Sequence, residues 1–252
     1  NHERALGADL SHGGGRGLVL SAAGKAFVGP ARQIVRDLVA AESSLVDVSG
    51  LPRGRLDICA SAHVAEGPVT ELIGSFRKQY PGVVVRLADL RPVDVVASLI
   101  RDGHCEIAFS HFPFSAPGLT TRVLGIHEYW LVVPHDAEIT WRDPFPLDDL
   151  PDIPVVGLPK ESSSRTVIEK ALQAAGRRTT LSAVVEQREA VGAFVVEGVG
   201  MSFMERTLAE RAAGGGARIC PLDPPITAPY GVIYDEARLS PAGRAFLGTL
   251  AP

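Results

Sequence analysis

Apolar residues recur at Phe27, Ala31, Ile34, Leu38, Ala41, Leu45 and Val48, in steps that alternate four and three. That seam predicts a helix over residues 21–48 that pairs with another helix, with Ser21 placed to cap its start. Packing of this helix on its own domain stays open, because Pro30 interrupts the seam and three heptads is a short run. SGLPRG at 49–54 then reads as a short hinge. Beyond it, strand-like and helix-like stretches alternate: RLDICAS, a helix through Val69, Leu72, Ile73 and Phe76, VVVRLADL, VDVVASLIRDG and EIAFSH. Strand, helix, strand, helix, strand is the order of a parallel α/β sheet.

The second half repeats the alternation. Strands are expected at EYWLVVP, IPVVGL, TLSAVVE, VGMSFM and YGVIYD, and helices near 163–175, 189–198, 204–213 and 240–250. Two α/β lobes joined by crossing strands predict a two-lobed, cleft-binding fold, with a small ligand at the crevice. The two GGG runs, at 13–15 and 214–216, read as flexible loops.

Composition narrows the function. With 46% hydrophobic residues, 21% charged residues and a net charge of −4 over 252 residues, the chain is an ordinary globular sequence, unsuited to coating nucleic acid with its whole surface. Residues 1–36 form the basic end, where Arg4, Arg16, Lys25, Arg32 and Arg36 face only Glu3 and Asp9. No long uncharged apolar run or secretory signal occurs, so a cytoplasmic location without membrane attachment is expected. Cys59, Cys105 and Cys220 lack metal-ligand spacing and read as small buried residues, with a Cys105–Cys220 redox pair as the alternative; no metal or cofactor is expected.

The order of these pieces resembles the LysR-type transcriptional regulators. The family pattern is a Leu-Gly pair ending the DNA-reading helix, an Arg-Gly wing, a Leu-Thr turn into Ala-Gly, and a long linker helix; this chain has Leu6-Gly7, Arg16-Gly17, Leu20-Ser21 and Ala23-Gly24. RGRLDICAS, FRKQYPGVVVRL, RDGHCEIAF and FVVEGVGMSFM resemble the family's first sensor strand, first helix-to-strand passage, third strand and second-lobe glycine turn. Leu10-Ser11 and Gly13 depart from the usual Leu-Phe and Arg before the wing. The resemblance implies a partial winged helix-turn-helix at 1–20, a linker and dimerisation helix at 21–48, a hinge at 49–54 and an effector-binding domain at 55–252. In that domain, lobe I would take about 55–127 and 230–252, and lobe II about 128–229. The earlier part of a DNA-reading module is expected to lie upstream of Asn1. Arg16 and Lys25 would then touch phosphate without specifying sequence, a solvated loop cation being the other reading of Arg16.

Three loops are candidates for effector binding. Ser61, Ala62 and His63 sit between a strand and a helix, where free backbone N–H groups favour an anion, and the matching family loop contacts the effector. Ser162 or Ser163 in KESSSR is placed to cap the next helix and to offer a hydroxyl to ligand. Gly200 lets backbone approach a ligand, with Met201 and Phe203 either an apolar wall or ordinary core. Ser110 and His111 end the third strand and would face the cleft.

No Ser/His/Asp set, GxGxxG, Walker loop or HExxH supports catalysis. The expected protein is a DNA-binding regulator whose sensor takes a small, anionic metabolite, and which forms a homodimer, or a homotetramer, through Phe27, Ile34, Leu38 and Leu45. Effector-driven closure of the lobes would change how paired DNA-binding modules meet their half-sites. A two-lobed solute-binding protein without DNA binding is the alternative, and an enzyme using the cleft the least favoured.

Overall fold

A computed structural model describes residues 2–14, 17–44, 53–90, 95–113, 116–160 and 162–250. Arg16, Leu45, Val48 and hinge residues 49–52 lie outside the described residues. The chain begins with α1 (His2–Leu6), β1 (Ser11–Gly14), β2 (Gly17–Leu20) and α2 (Ala22–Ser44). β3 (Gly54–Ala60) is followed by α3 (Ala62–Val64), which runs through a π turn at Ala65–Val69 into α4 (Thr70–Gln79). Then come β4 (Val83–Asp89), α5 (Val96–Arg101), β5 (Ile107–His111), β6 (Thr120–Val133), β7 (Phe145–Pro146), β8 (Val155–Gly157) and α6 (Ser163–Ala174). The remainder is β9 (Leu181–Val184), α7 (Val191–Val196), β10 (Ser202–Glu205), α8 (Arg206–Gly214), β11 (Arg218–Cys220), β12 (Leu222–Asp223), β13 (Ile226–Tyr234) and α9 (Pro241–Thr249).

The chain divides into two compact units, and β6 and β13 each contribute residues to both. Unit 1 holds Asn1–Ser110, Phe114–Val123 and Gly231–Pro252, and unit 2 holds His111–Pro113 and Leu124–Tyr230.

In unit 1, β3 lies between β4 and β5, parallel to both. β3 carries an uninterrupted buried run from Leu56 to Ala60, as a central parallel strand covered on both faces does, whereas β4 leaves Val84 and Leu87 exposed. Phe246 of α9 meets Phe76 and Phe109 edge-on, with ring centroids at 5.2 and 6.1 Å. Each fully buried ring of this kind contributes about 2–3 kcal/mol. α9 starts where it does because Pro241 presets the first turn, Ser240 Oγ accepts from the Gly243 N–H at 3.0 Å, and Glu106 Oε2 accepts from the Ser240 N–H at 2.8 Å.

At the basic end, β1 and β2 pair as an antiparallel hairpin, so Gly13 and Gly14 belong to a strand and not to the flexible loop expected of the first glycine run. Ser21 Oγ accepts from the Gly24 N–H at 3.0 Å and caps α2 as expected. Gly24 has no room for a side chain, since a Cβ there would stand 1.9 Å from the Leu10 carbonyl oxygen. The early turns of α2 pack on unit 1: a Cβ on Gly29 would lie 3.1 Å from Asp102 Cα, and Arg32 Nη1 is 2.6 Å from His104 Nε2. Farther along, Ile34 is 65% and Leu38 58% exposed, so the seam is covered by its own unit at first and bare afterwards.

In unit 2, β6 pairs antiparallel with β10 and β11, β8 with β9 in parallel, and β12 with β7 in parallel. The two-residue period of β6 feeds two cores. Tyr129, Leu131 and Val133 join one, with Phe145, Leu172 and Met201; Val132 joins the other, with Val156, Val195, Met204 and Leu208. β6 begins at Thr120, well before the expected start in EYWLVVP, because Thr120–Ile126 forms a half-exposed strand without the continuous apolar signal of Leu131–Val133.

All three cysteines are buried free thiols. Cys105 hydrogen-bonds Cys59, the chief cause that lowers the Cys59 thiol pKa, and both lie in unit 1, while Cys220 lies in unit 2. Cys105 thus has a sulfur neighbour, Cys59, within its own unit.

Candidate effector-binding site

The polar candidates assemble separately in each unit. In unit 1, Ser61 follows the carboxyl end of β3 and Ser110 stands near the end of β5, on strands that pair through Ala60 and Phe109. Ser61 is 4% and Ser110 0% exposed, and neither hydroxyl has a hydrogen-bond partner among the described residues. A buried hydroxyl left in that state costs about 1–3 kcal/mol, which makes the pair conspicuous. The Ser61 N–H is not free, as the loop expectation had it: it donates to the Phe109 carbonyl at 3.0 Å, while the Ser61 carbonyl accepts from the N–H groups of Val64 and Ala65. The loop thus offers side-chain oxygen more than an open row of amides. Ala62 and His63 are half-buried beside it.

In unit 2, His111 Nε2 lies 2.8 Å from His127 Nδ1, and His111 Nδ1 lies 3.4 Å from Ser163 Oγ. His127 stacks on Tyr230 at 4.5 Å between ring centroids. Gly125 makes that stack possible, since a Cβ there would come within 2.5 Å of Tyr230 Oη. A pair of hydrogen-bonded imidazoles needs one donor and one acceptor nitrogen on the shared line.

Ser162 occupies the N-cap position of α6 but makes no side-chain cap; its hydroxyl bonds Ser164 Oγ at 2.9 Å instead. Ser163, one residue on, is the hydroxyl turned to His111. Gly200 is a glycine because of its own chain: a Cβ would meet the Pro154 carbonyl oxygen at 2.2 Å and Ser182 Oγ at 2.7 Å. Met201 is fully buried, bridged to Val155, and Phe203 is 6% exposed in the same core.

A separate pocket within unit 2 is lined by Phe203, Tyr129, Ser164, Arg188 and Glu205 among others, but not by His111, Ser163, Gly200 or Met201. Arg188 Nη1 donates to Glu205 Oε2 at 3.3 Å, with both residues buried. Burial, then the Glu205 charge, pushes the Tyr129 hydroxyl pKa well above its ordinary value, so it remains a neutral donor. Sequence reasoning passed over His127 and Tyr230, and the Tyr129–Arg188–Glu205 group, since each is spread over segments distant along the chain and carries no local motif.

Among the described residues, no group of three or more His, Cys, Asp or Glu is placed to hold a metal ion, and no helix is long and apolar enough to cross a membrane. A family model described as the LysR substrate binding domain matches residues 49–252. The chain belongs to the LysR substrate-binding domain family. Among curated relatives it is 28% identical over 162 residues to the HTH-type transcriptional regulator ShiR of Corynebacterium glutamicum, a match that covers 64% of this chain and 55% of ShiR. The chain therefore spans just over half the length of that relative. A full-length OxyR variant from Pseudomonas aeruginosa shares the fold, with a TM-score of 0.74 at 16% identity over 98% of this chain and 80% of that one. The regulatory domain of CcmR from Synechocystis, solved in complex with 2-PG, has a TM-score of 0.68 at 19% identity over 79% of this chain and 96% of that one. The mixed α/β architecture of this LysR-family chain is thus that of LysR effector-binding domains, as expected of a periplasmic-binding-protein-like fold.

Proposed function

We propose that this chain is the metabolite-sensing part of a LysR-type transcriptional regulator, and that a small anionic or polar molecule is its signal. The observation that carries the reading is the pair of buried, partnerless hydroxyls of Ser61 and Ser110 at the carboxyl ends of adjoining parallel strands, the place where open α/β sheets take ligands. Ser61, Ala62, His63 and Ser110 are assigned to the ligand in unit 1. His111, Ser162 and Ser163 are assigned in unit 2, with His127 and Tyr230 added; Gly200, Met201 and Phe203 support that unit from its core. That CcmR is solved with 2-PG supports a small acid as the ligand class.

The complete protein binds DNA and works in the cytoplasm, as the likeness to ShiR supports, and Lys25 at the start of α2 contributes a phosphate contact. The bare Ile34 and Leu38 of α2, with Phe27 nearby, form the homodimer seam. The division into a linker helix at 21–48 and an effector-binding domain from residue 55 onward follows the same reading. No turnover is assigned, and ShiR is named as a regulator. Thermal melting of the chain against a panel of small carboxylic and phosphorylated acids tests the proposal. At least one acid raises the melting temperature saturably and is recovered unchanged after overnight incubation; chemical conversion of that acid would replace the sensor with an enzyme.

A further inference from the structure

We infer that the pocket inside unit 2 is a second small-molecule site, for a compact, uncharged, mostly apolar molecule that carries one hydrogen-bond acceptor. The pocket encloses about 590 Å³ of space free of atoms, its open mouth included. Counted as room for the centres of water molecules the pocket offers about 60 Å³, and one water takes about 10–15 Å³ of that, so the occupant is the size of a few waters or one small ring. Its walls are aliphatic: Val156, Ile168, Leu172, Val191 and Leu208 all line it.

Charge balance sets the class. Arg188 is matched by Glu205, and the Arg165 Nε at the pocket's edge donates to Glu169 Oε1 at 2.7 Å. Each cation is offset by its own carboxylate, so an incoming anion would find no net positive charge, and its desolvation would go uncompensated. Of the hydroxyls that line the pocket, Ser202 donates to the Val156 carbonyl and Ser164 bonds Ser162, while the buried Tyr129 hydroxyl is aligned with no acceptor among the described residues. It is buried in a residue only 1% exposed, lies beside Ser164, and makes no well-formed hydrogen bond. Its neutral O–H suits a carbonyl or ether oxygen. This site shares no residue with the His111–His127–Ser163–Tyr230 group, and the inference holds whether or not that group binds the signal.

Methyl-resolved NMR of the full chain, titrated with acetophenone and with α-methylstyrene, which replaces the carbonyl by a methylene, tests it. Acetophenone is expected to shift the methyls of Val156, Ile168, Leu172 and Leu208 saturably and to bind about five- to tenfold more tightly than α-methylstyrene. In Tyr129→Phe, with melting checked to show an intact fold, the two probes are expected to bind alike, at the affinity of α-methylstyrene for the unaltered chain. If neither probe shifts those methyls, there is no site. If acetophenone keeps its advantage in Tyr129→Phe, or if the unaltered chain shows none, Tyr129 is not the recognising group and the assigned class is wrong.

Discussion

Glu205→Gln removes one charge from a pair that the fold keeps out of water. The side chains of Arg188 and Glu205 are 8% and 11% exposed and meet at 3.3 Å, while the other carboxylate near Arg188, Glu189, is 3.9 Å away and 61% exposed. The exposed Glu189 is screened and offsets little of the loss. Breaking a buried pair from one side costs about 3–5 kcal/mol because a buried charge loses its counterion. The length of this contact argues for the lower end, about 3 kcal/mol, which corresponds to a fall in melting temperature of roughly 6–12 °C for a chain of this size. Replacing both partners, as in Arg188→Met with Glu205→Leu, removes the desolvation cost along with the attraction and is expected to leave stability within about 1 kcal/mol of the starting protein. Urea unfolding of the two single variants and the double variant measures all three. A loss below about 1 kcal/mol in Glu205→Gln would mean that water reaches the pair, and would refute the strength assigned to it.

Gly200→Ala is expected to cost about 2 kcal/mol or more in the same assay, since its methyl would have to displace the Pro154 carbonyl from 2.2 Å. His104 is held below the ordinary histidine value of 6.5, chiefly by burial and then by the Arg32 charge. An imidazole with a lowered folded pKa stays neutral while the unfolded chain protonates, so its share of stability is full above about pH 6.5 and is lost as pH falls through the folded value. NMR titration is expected to find the His104 midpoint higher in Arg32→Met than in the parent. The Cys220 thiol, pushed up to about 11 mainly by burial, is expected to react with iodoacetamide at pH 8 roughly 100-fold more slowly in the folded chain than in the unfolded one, as read by peptide mass. Ile34→Asp with Leu38→Asp is expected to halve the mass measured by light scattering, if the exposed seam of α2 is the dimer contact.

The periodic parts of the fold were legible in the sequence. The buried run of β3, the serine-capped start of α2 and the helices from Ser163, Arg206 and Pro241 all follow from local pattern and capping chemistry. Gly13 and Gly14 were misleading because glycine reads as loop until a partner strand holds it, and β6 was read short because its half-exposed first half lacks a continuous apolar run. At the site, Ser61, Ser110 and His111 could be picked out by their places at strand ends. His127 and Tyr230 could not: they meet only because two strands far apart in the chain lie side by side, with Gly125 clearing the space between ring and backbone. The same holds for Tyr129 with Arg188 and Glu205. Long-range contacts of this kind leave no periodicity behind.

The central claim is that the polar groups of this LysR-family chain hold a small signal molecule. Calorimetric titration with the acid that stabilises the chain in melting, of the parent and of a variant with Ser61 and Ser110 both changed to alanine, tests it most directly. The account predicts saturable binding by the parent chain and a loss of affinity of at least about tenfold in the double variant. Saturable binding that is indifferent to those two serines would contradict it.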